Sequence, residues 1–361
     1  MKKLLTILLI LITCIFADKY KVSVDDISQY KVDYKILNPC AVSNDASYFF
    51  ATERVYDVKK IARGNAYDLI IFRFKDKKLE TIDRIPLKIY HLVNVAYDSD
   101  RHRIFIVGNR GNKIIRVDPR NNRKKVEFEY QQGQKGFKAG PFVFCHKSKL
   151  YATGWFYDEE QNWLGDYVAR IAFTKKGVRF QRKASLDYLF KYRFSNRGTV
   201  RTNFYVSGDL FYFSLIDQVE KKTFLMELRN KKLTPVDKEH IISTFAATDE
   251  RIFYITRDAD GHYHHFLKNF TTGEKYTIGR ENDRFTYPFL VKDRLVVLKT
   301  DLKRKTFNAY VGIEKDRYLL QRFIKNETLG AMKISQNAKY YLFMGIDGIT
   351  IGTLVRNEST E

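Results

Sequence analysis

A polar turn followed by an apolar strand recurs seven times along this chain. It occurs as Asn44-Asp45-Ala46-Ser47 before Tyr48-Phe49-Phe50, and as Asp98-Ser99-Asp100-Arg101-His102-Arg103 before Ile104-Phe105-Ile106. It returns as Lys147-Ser148-Lys149 before Leu150-Tyr151-Ala152, and as Ser207-Gly208-Asp209 before Leu210-Phe211-Tyr212-Phe213. The fifth copy is Thr248-Asp249-Glu250-Arg251 before Ile252-Phe253-Tyr254. The last two are Lys292-Asp293-Arg294 before Leu295-Val296-Val297, and Gln336-Asn337-Ala338-Lys339 before Tyr340-Tyr341-Leu342-Phe343. Spacings of roughly 40 to 60 residues are those of propeller blades.

Residues 92–130 give the clearest unit. Leu92-Val93-Asn94-Val95-Ala96-Tyr97 reads as a first strand, residues 103–107 as a second, 113–117 as a third and 124–130 as a fourth. Gly108-Asn109-Arg110-Gly111-Asn112 and Asp118-Pro119-Arg120-Asn121-Asn122 supply turns. Four short strands joined by tight turns make one blade. The other units are read at 40–85, 142–184, 203–236, 241–278, 285–324 and 332–355, with an insertion at 55–65 in the first. The last unit holds three strands, and the alternating segment 29–37 is expected to supply its fourth. Ring closure by such a strand hides exposed edges. The predicted fold class is all-β: a seven-bladed β-propeller of four-stranded antiparallel blades, closed by an N-terminal strand, as one domain over residues 18–361. No segment has a helical period, and strand-forming Phe (28) and Tyr (24) are abundant.

Asn94-Val95-Ala96-Tyr97-Asp98, Ile104-Phe105-Ile106-Val107-Gly108-Asn109 and Ile114-Ile115-Arg116-Val117-Asp118 together resemble a blade of the NHL and YVTN propeller groups. The resemblance is one of fold. It implies a binding platform, with lactonases and lyases among related propellers. Its motif is structural, so it carries over no functional residue.

Residues 1–17 have the form of a secretory signal: Lys2 and Lys3, an apolar run to Phe16, then Ala17. A secreted or extracellular protein is expected, periplasmic in a bacterium, with no membrane span in the mature chain. Cys40 and Cys145 remain after cleavage, and export permits a disulfide. Their expected places, in first strands of non-adjacent blades and at opposite strand ends, instead predict two buried free thiols. Asn269-Phe270-Thr271, Asn326-Glu327-Thr328 and Asn357-Glu358-Ser359 fit the glycosylation pattern, which matters in a eukaryotic source.

The formal net charge is +22. Such a charge attracts polyanions, although it also suits a merely solvated surface. Hairpins between third and fourth strands carry the candidate polyanion-binding residues Lys77, Lys78, Arg123, Lys124, Lys125, Lys175, Lys176, Lys231 and Lys232. First hairpins add Arg101, Arg103, Lys147, Lys149 and Arg294. Loops after second strands carry the ligand-binding candidates Arg54, Arg110, Trp155, Trp163, Arg257 and Asp258. Arginine forks suit carboxylate or phosphate, and aromatic rings beside carboxylates suit sugars or cations.

No Gly-x-Ser-x-Gly elbow, Cys–His pair or Gly-rich phosphate loop is found, so no catalytic residue is named. Asp258-Ala259-Asp260-Gly261 falls short of a calcium loop. His262 and His264 share a strand face but lack a third ligand nearby in sequence. Neither a metal nor a cofactor is expected. The reading is a non-catalytic binding protein, expected to be monomeric. It would dock an anionic glycan or cell surface by a basic face and a protein partner or small ligand by the opposite loops. The alternatives are a propeller lyase or hydrolase acting on a saccharide or lactone, and a protein-interaction scaffold.

Overall fold

A computed structural model describes residues 20–22 and most of 37–353, leaving out 76–77, 120–123, 131–135, 147, 175–176, 186–197, 208–209, 218–221, 228–231, 238–240, 248–249, 259, 270, 279–284, 292–293, 302–305, 316, 329–330, 338 and 346–347. The leader-like segment 1–17 therefore lies outside the described residues.

The described residues form seven four-stranded antiparallel sheets. The first strand, β1 (Tyr20–Val22), belongs to the last sheet. The remaining sheets follow chain order. They are β2 (Leu37–Val42), β3 (Tyr48–Arg54), β4 (Tyr67–Lys75) and β5 (Lys78–Pro86); then β6 (Leu92–Asp98), β7 (Arg103–Gly108), β8 (Lys113–Asp118) and β9 (Lys124–Glu129). Next come β10 (Gly136–His146), β11 (Lys149–Tyr157), β12 (Trp163–Thr174) and β13 (Gly177–Ser185); then β14 (Gly198–Ser207), β15 (Leu210–Asp217), β16 (Lys222–Glu227) and β17 (Lys232–Asp237). They continue with β18 (Ile241–Ala247), β19 (Arg251–Arg257), β20 (Tyr263–Asn269) and β21 (Lys275–Thr277), and with β22 (Phe285–Val291), β23 (Arg294–Asp301), β24 (Thr306–Lys315) and β25 (Arg317–Thr328). The last sheet has the order β1, β28 (Gly348–Thr353), β27 (Tyr340–Gly345), β26 (Ala331–Ile334).

An N-terminal strand does complete the last sheet, but it is Tyr20–Val22, pairing Tyr20 with Ile351 and Val22 with Ile349. The expected segment 29–37 does not fill that place: 29–36 lie outside the described residues, and Leu37 opens β2. Three residues are too few to display a period, which is why the sequence pointed to the longer run.

The second strands explain the continuous apolar runs. In β3, β7 and β19 five successive residues are buried, so both faces of each strand are covered. A short unbroken apolar run is the signature of that environment. First strands behave differently. β2, β6, β10, β14 and β18 each carry a register shift, at Pro39/Ala41, Leu92/Asn94, Ala139/Val143, Arg201/Phe204 and Ile242/Thr244. A bulge reverses the alternation of side chains. In β10 and β14 the shift inserts two residues rather than one, which interrupts the alternation without reversing it, and these strands begin earlier, at Gly136 and Gly198, than the alternation indicated.

Backbone contacts divide the chain into two compact units: Met1–Arg54, Leu69–Ile85 and Val296–Glu361 in one, Val55–Asp68 and Pro86–Leu295 in the other. In the first, Val42, Phe49, Ala51, Ile70, Phe72, Leu342, Met344, Ile349 and Ile351 form one buried cluster, with the Phe49 and Phe72 rings stacked 4.7 Å apart. Two of its hairpins use one device. Ser43 Oγ accepts from Tyr48 N at 2.9 Å and donates to Asp45; Ser335 Oγ accepts from Tyr340 N at 3.0 Å and donates to Asn337. The sequence repeat is thus also a repeat of hydrogen bonds.

In the second unit, Phe105, Val107 and Ile114 pack with Phe137, Leu150, Ala152, Ala169 and Ile171, joining sheets β6–β9 and β10–β13 through one core. The insertion at 55–65 contains a short helix, α1 (Val58–Ala62), whose N-terminus is capped by Asp57 accepting from Lys59 N and Lys60 N. Five residues show no helical period in sequence.

Candidate functional site

Each loop-face candidate lies near or just after the end of a second strand, or at the start of a third. Arg54 closes β3 and is exposed. Arg110 sits in the 3-10 turn Asn109–Gly111 after β7, exposed and left-handed at φ 56°. Trp155 is half-buried in β11, with Lys138 Nζ 6.0 Å from its ring centre. Trp163 opens β12, pairs with Tyr157 and is 52% exposed. Arg54 belongs to the first unit and the other five candidates to the second.

Four of the six share hairpins in pairs, and Arg54 and Arg110 stand on separate loops. Trp155 and Trp163 share the β11–β12 hairpin. Two of the acids there are already engaged: Asp158 accepts from Asn162 N at 2.7 Å and Nδ2 at 3.0 Å, and Glu160 accepts from Asn162 Nδ2 at 3.2 Å.

Arg257 and Asp258 share the β19–β20 hairpin. Arg257 Nε donates to Gly261 O at 3.3 Å, and its guanidinium lies 5.7 Å from the Tyr263 ring centre. Asp258 Oδ1 accepts from His262 N at 2.8 Å, and Oδ2 meets His264 Nε2 at 2.9 Å. The His264 contact, with the His262 N–H, pulls the Asp258 carboxyl down to about 2. Asp258, Asp260 and His262 offer ligand atoms within 4.8 Å of one another, so this hairpin contains the residue types that could hold a cation.

The polyanion candidates follow the hairpins between third and fourth strands. Lys78, Lys124 and Lys232 open β5, β9 and β17, and Lys125 follows in β9. Lys77, Arg123, Lys175, Lys176 and Lys231 lie outside the described residues.

A cavity of about 120 Å³ in the second unit gathers further cations. Arg101, Arg103, Arg116, Lys149 and Arg170 line it, beside Ser148 and the apolar Phe105, Leu150, Ile171 and Phe173. Strand register explains part of this. Phe105 in β7 is paired with Arg116 in β8, so both side chains stand on one face of their sheet. Leu150 and Ile171 are likewise paired in the next sheet and share the same core cluster as Phe105. Arg103 Nε lies 2.9 Å from Asp118 Oδ1, and Arg116 Nε lies 3.3 Å from Asp118 Oδ2. Two guanidiniums thus share one carboxylate. The Arg116 guanidinium also lies 5.3 Å from the centre of the Phe173 ring.

Arg101, Arg103 and Lys149 stand out in the sequence as hairpin cations. Arg116 and Arg170 do not, because they are interior residues of third strands. The only available signal was the phase of Arg116 within Ile114-Ile115-Arg116-Val117-Asp118.

Cys40 and Cys145 are both free, as expected. They are half-buried residues rather than fully buried ones. Burial pushes both thiols up, and nearby Asp98 adds to the effect at Cys145.

No family model matches the chain, and no curated protein matches it in sequence. Solved structures do match in fold. The β-propeller domain of Cps50 (Swd1) from Myceliophteria thermophila aligns with a TM-score of 0.51 at 8% identity, over 88% of this chain and 96% of that one. The β-propeller domain of the Trilobed protease from Pyrococcus furiosus aligns with a TM-score of 0.50 at 10% identity, over 81% of this chain and 84% of that one. YCF48 from Cyanidioschyzon merolae aligns with a TM-score of 0.50 at 10% identity, over 88% of this chain and 95% of that one. At such identities the likeness is one of fold and carries no activity with it. The chain has a β-propeller fold built from four-stranded antiparallel sheets.

Proposed function

We propose that this is an exported, non-catalytic binding protein that docks a sulfated or phosphorylated glycan, or a surface carrying one, through its basic hairpins. In this reading the sheets are blades of a seven-bladed ring and the mature chain acts as a monomer. The observation that carries the reading is the cation-lined cavity, where Arg103 and Arg116 share the carboxylate of Asp118 beside Arg101, Arg170 and Lys149. A net charge of +22 supplies the long-range attraction. Polyanion binding of this kind releases counterions and weakens steeply with salt. The test is binding of the mature chain to dextran sulfate across a salt series. Affinity falling by about tenfold or more between 50 and 200 mM salt supports the reading. No binding at the lowest salt overturns it.

A second reading has its own observation. Trp163 and Leu164 are exposed by 52% and 38% at the start of β12. Exposed aromatic and aliphatic groups at a hairpin suit a protein partner. This supports a partner-binding role for the loops after the second strands, as in an interaction scaffold. Trp163→Ser should then abolish partner capture while leaving dextran sulfate binding intact.

A further inference from the structure

We infer that the cavity between sheets β6–β9 and β10–β13 is a site for one tetrahedral oxyanion, a phosphate or sulfate group. The inference deepens the polyanion reading, because it names the chemical group that a docked polymer would present there.

The charge balance is the first argument. Among the described residues Asp118 is the one carboxylate paired with both Arg103 and Arg116, and both pairs use the arginine Nε. The terminal nitrogens of both forks make no hydrogen bond among the described residues. Arg101, Lys149 and Arg170 line the same space. The neighbouring acids are Asp98 and Asp100. Asp98 accepts from Arg101 N at 3.3 Å, and the single Ser148 hydroxyl proton is shared between Asp98 at 3.2 Å and Asp100 at 3.0 Å. Five cations lining the cavity therefore face three nearby carboxylates, and the surplus is positive.

Hydrogen bonding is the second argument. The Arg116 and Asp118 side chains are only 17% and 7% exposed. Arg116 Nε and Arg170 Nε are buried donors without an aligned hydrogen bond, although Arg116 Nε is within ion-pair distance of Asp118. Buried charged groups are normally satisfied, and a cluster of cations that is not invites an anion. Arginine donors match the oxygens of phosphate and sulfate through paired N–H groups.

The walls and the volume are the third argument. Phe173 lies beside the Arg116 guanidinium and stacks on Phe105 with ring centres 5.7 Å apart, which holds Arg116 in place. A volume of about 120 Å³ has room for one compact group.

The test is calorimetric titration of the full chain with inorganic phosphate and with sulfate, at constant ionic strength set by chloride. Saturable binding of one anion per chain is expected. Arg116→Met and Arg103→Met should each weaken it by about tenfold or more, since each removes a charge-assisted donor pair. Arg116→Lys keeps the charge but loses the fork, and should recover only part of the affinity. Arg101→Met, at an exposed hairpin position, serves as a second variant if Arg116→Met fails to fold. Dextran sulfate is then titrated into the same variants. Parallel loss of both affinities supports the site and assigns its anion to the polymer. Loss of inorganic anion binding alone supports the site and assigns it to the free ion. If no saturable anion binding occurs while dextran sulfate still binds, the inference is overturned and the polyanion reading stands. If the anion binds but dextran sulfate does not, the polyanion reading is overturned and the site stands.

Discussion

Asn337 holds Asn44 across 293 residues of sequence through two hydrogen bonds: its backbone N–H donates to Asn44 Oδ1 at 3.0 Å, and its Nδ2 donates to Asn44 O at 2.8 Å. Each residue belongs to the turn of a first hairpin, β2–β3 or β26–β27. Asn337 Oδ1 additionally accepts from Ser335 Oγ and Lys339 N within its own turn. Removing Asn337 therefore breaks a local turn and a long-range link, whereas removing Asn44 breaks mainly the link. Asn337→Ala is expected to cost about 2 kcal/mol and Asn44→Ala about 1 kcal/mol. Urea unfolding of both variants and of the double variant measures this. Strictly additive losses would show that the two residues do not cooperate.

Gly111 gives a sharper steric prediction. It has φ +90°, and a Cβ built on it would lie 1.8 Å from the carbonyl oxygen of Ala139. Gly177 has φ +115° with nothing within 4 Å of such a Cβ. Gly177→Ala should cost only the conformational penalty, about 1–2 kcal/mol. Gly111→Ala adds a backbone clash and should cost clearly more. Thermal unfolding of the two variants compares them directly, and equal shifts would mean that β10 moves aside freely.

Most of the sheet architecture was legible because second strands are unbroken apolar runs and turns carry Asn, Asp, Ser and Gly. The limits have physical causes. Two-residue register shifts within β10 and β14 interrupt the alternation, and β1 and α1 are too short to have a period. The candidate site was legible only in part. Arg101, Arg103 and Lys149 sit in or beside turns, where a cation is conspicuous. Arg116 sits in a strand among Ile114, Ile115 and Val117, and its meaning depends on Phe173, which lies far along the chain and reaches it only through packing of one sheet on the next. Sequence phase can give the face of a strand, but it does not give the opposing sheet.

The free thiols should react slowly. Burial raises the pKa of both Cys40 and Cys145, so the reactive thiolate is scarce near neutral pH. Alkylation of the folded protein at pH 8 should be at least about tenfold slower than in urea at both positions. Asp98→Asn removes a nearby negative charge and should speed Cys145 while leaving Cys40 unchanged. Mass spectrometry of timed samples separates the two sites. Alkylation of Cys145 as fast as in urea would contradict its burial.

Asp258 sets the acid response of the β19–β20 hairpin. Its carboxyl is held at about 2 against an ordinary value of 3.8, first by the contact with His264 and then by the N–H of His262. A depressed carboxyl stabilises the folded state above its unfolded value, and that contribution is lost as pH falls from about 4 through about 2. NMR titration of the Asp258 carboxyl carbon should give a midpoint near 2 in the native chain. In His264→Ala the midpoint should move up toward the ordinary value, because the larger of the two stabilising contacts is gone. The residual depression then measures what the His262 N–H and the His262 ring contribute. A midpoint that stays near 2 in His264→Ala would transfer the main role to the turn backbone, and His262→Pro, which removes that N–H, would be the variant that raises it.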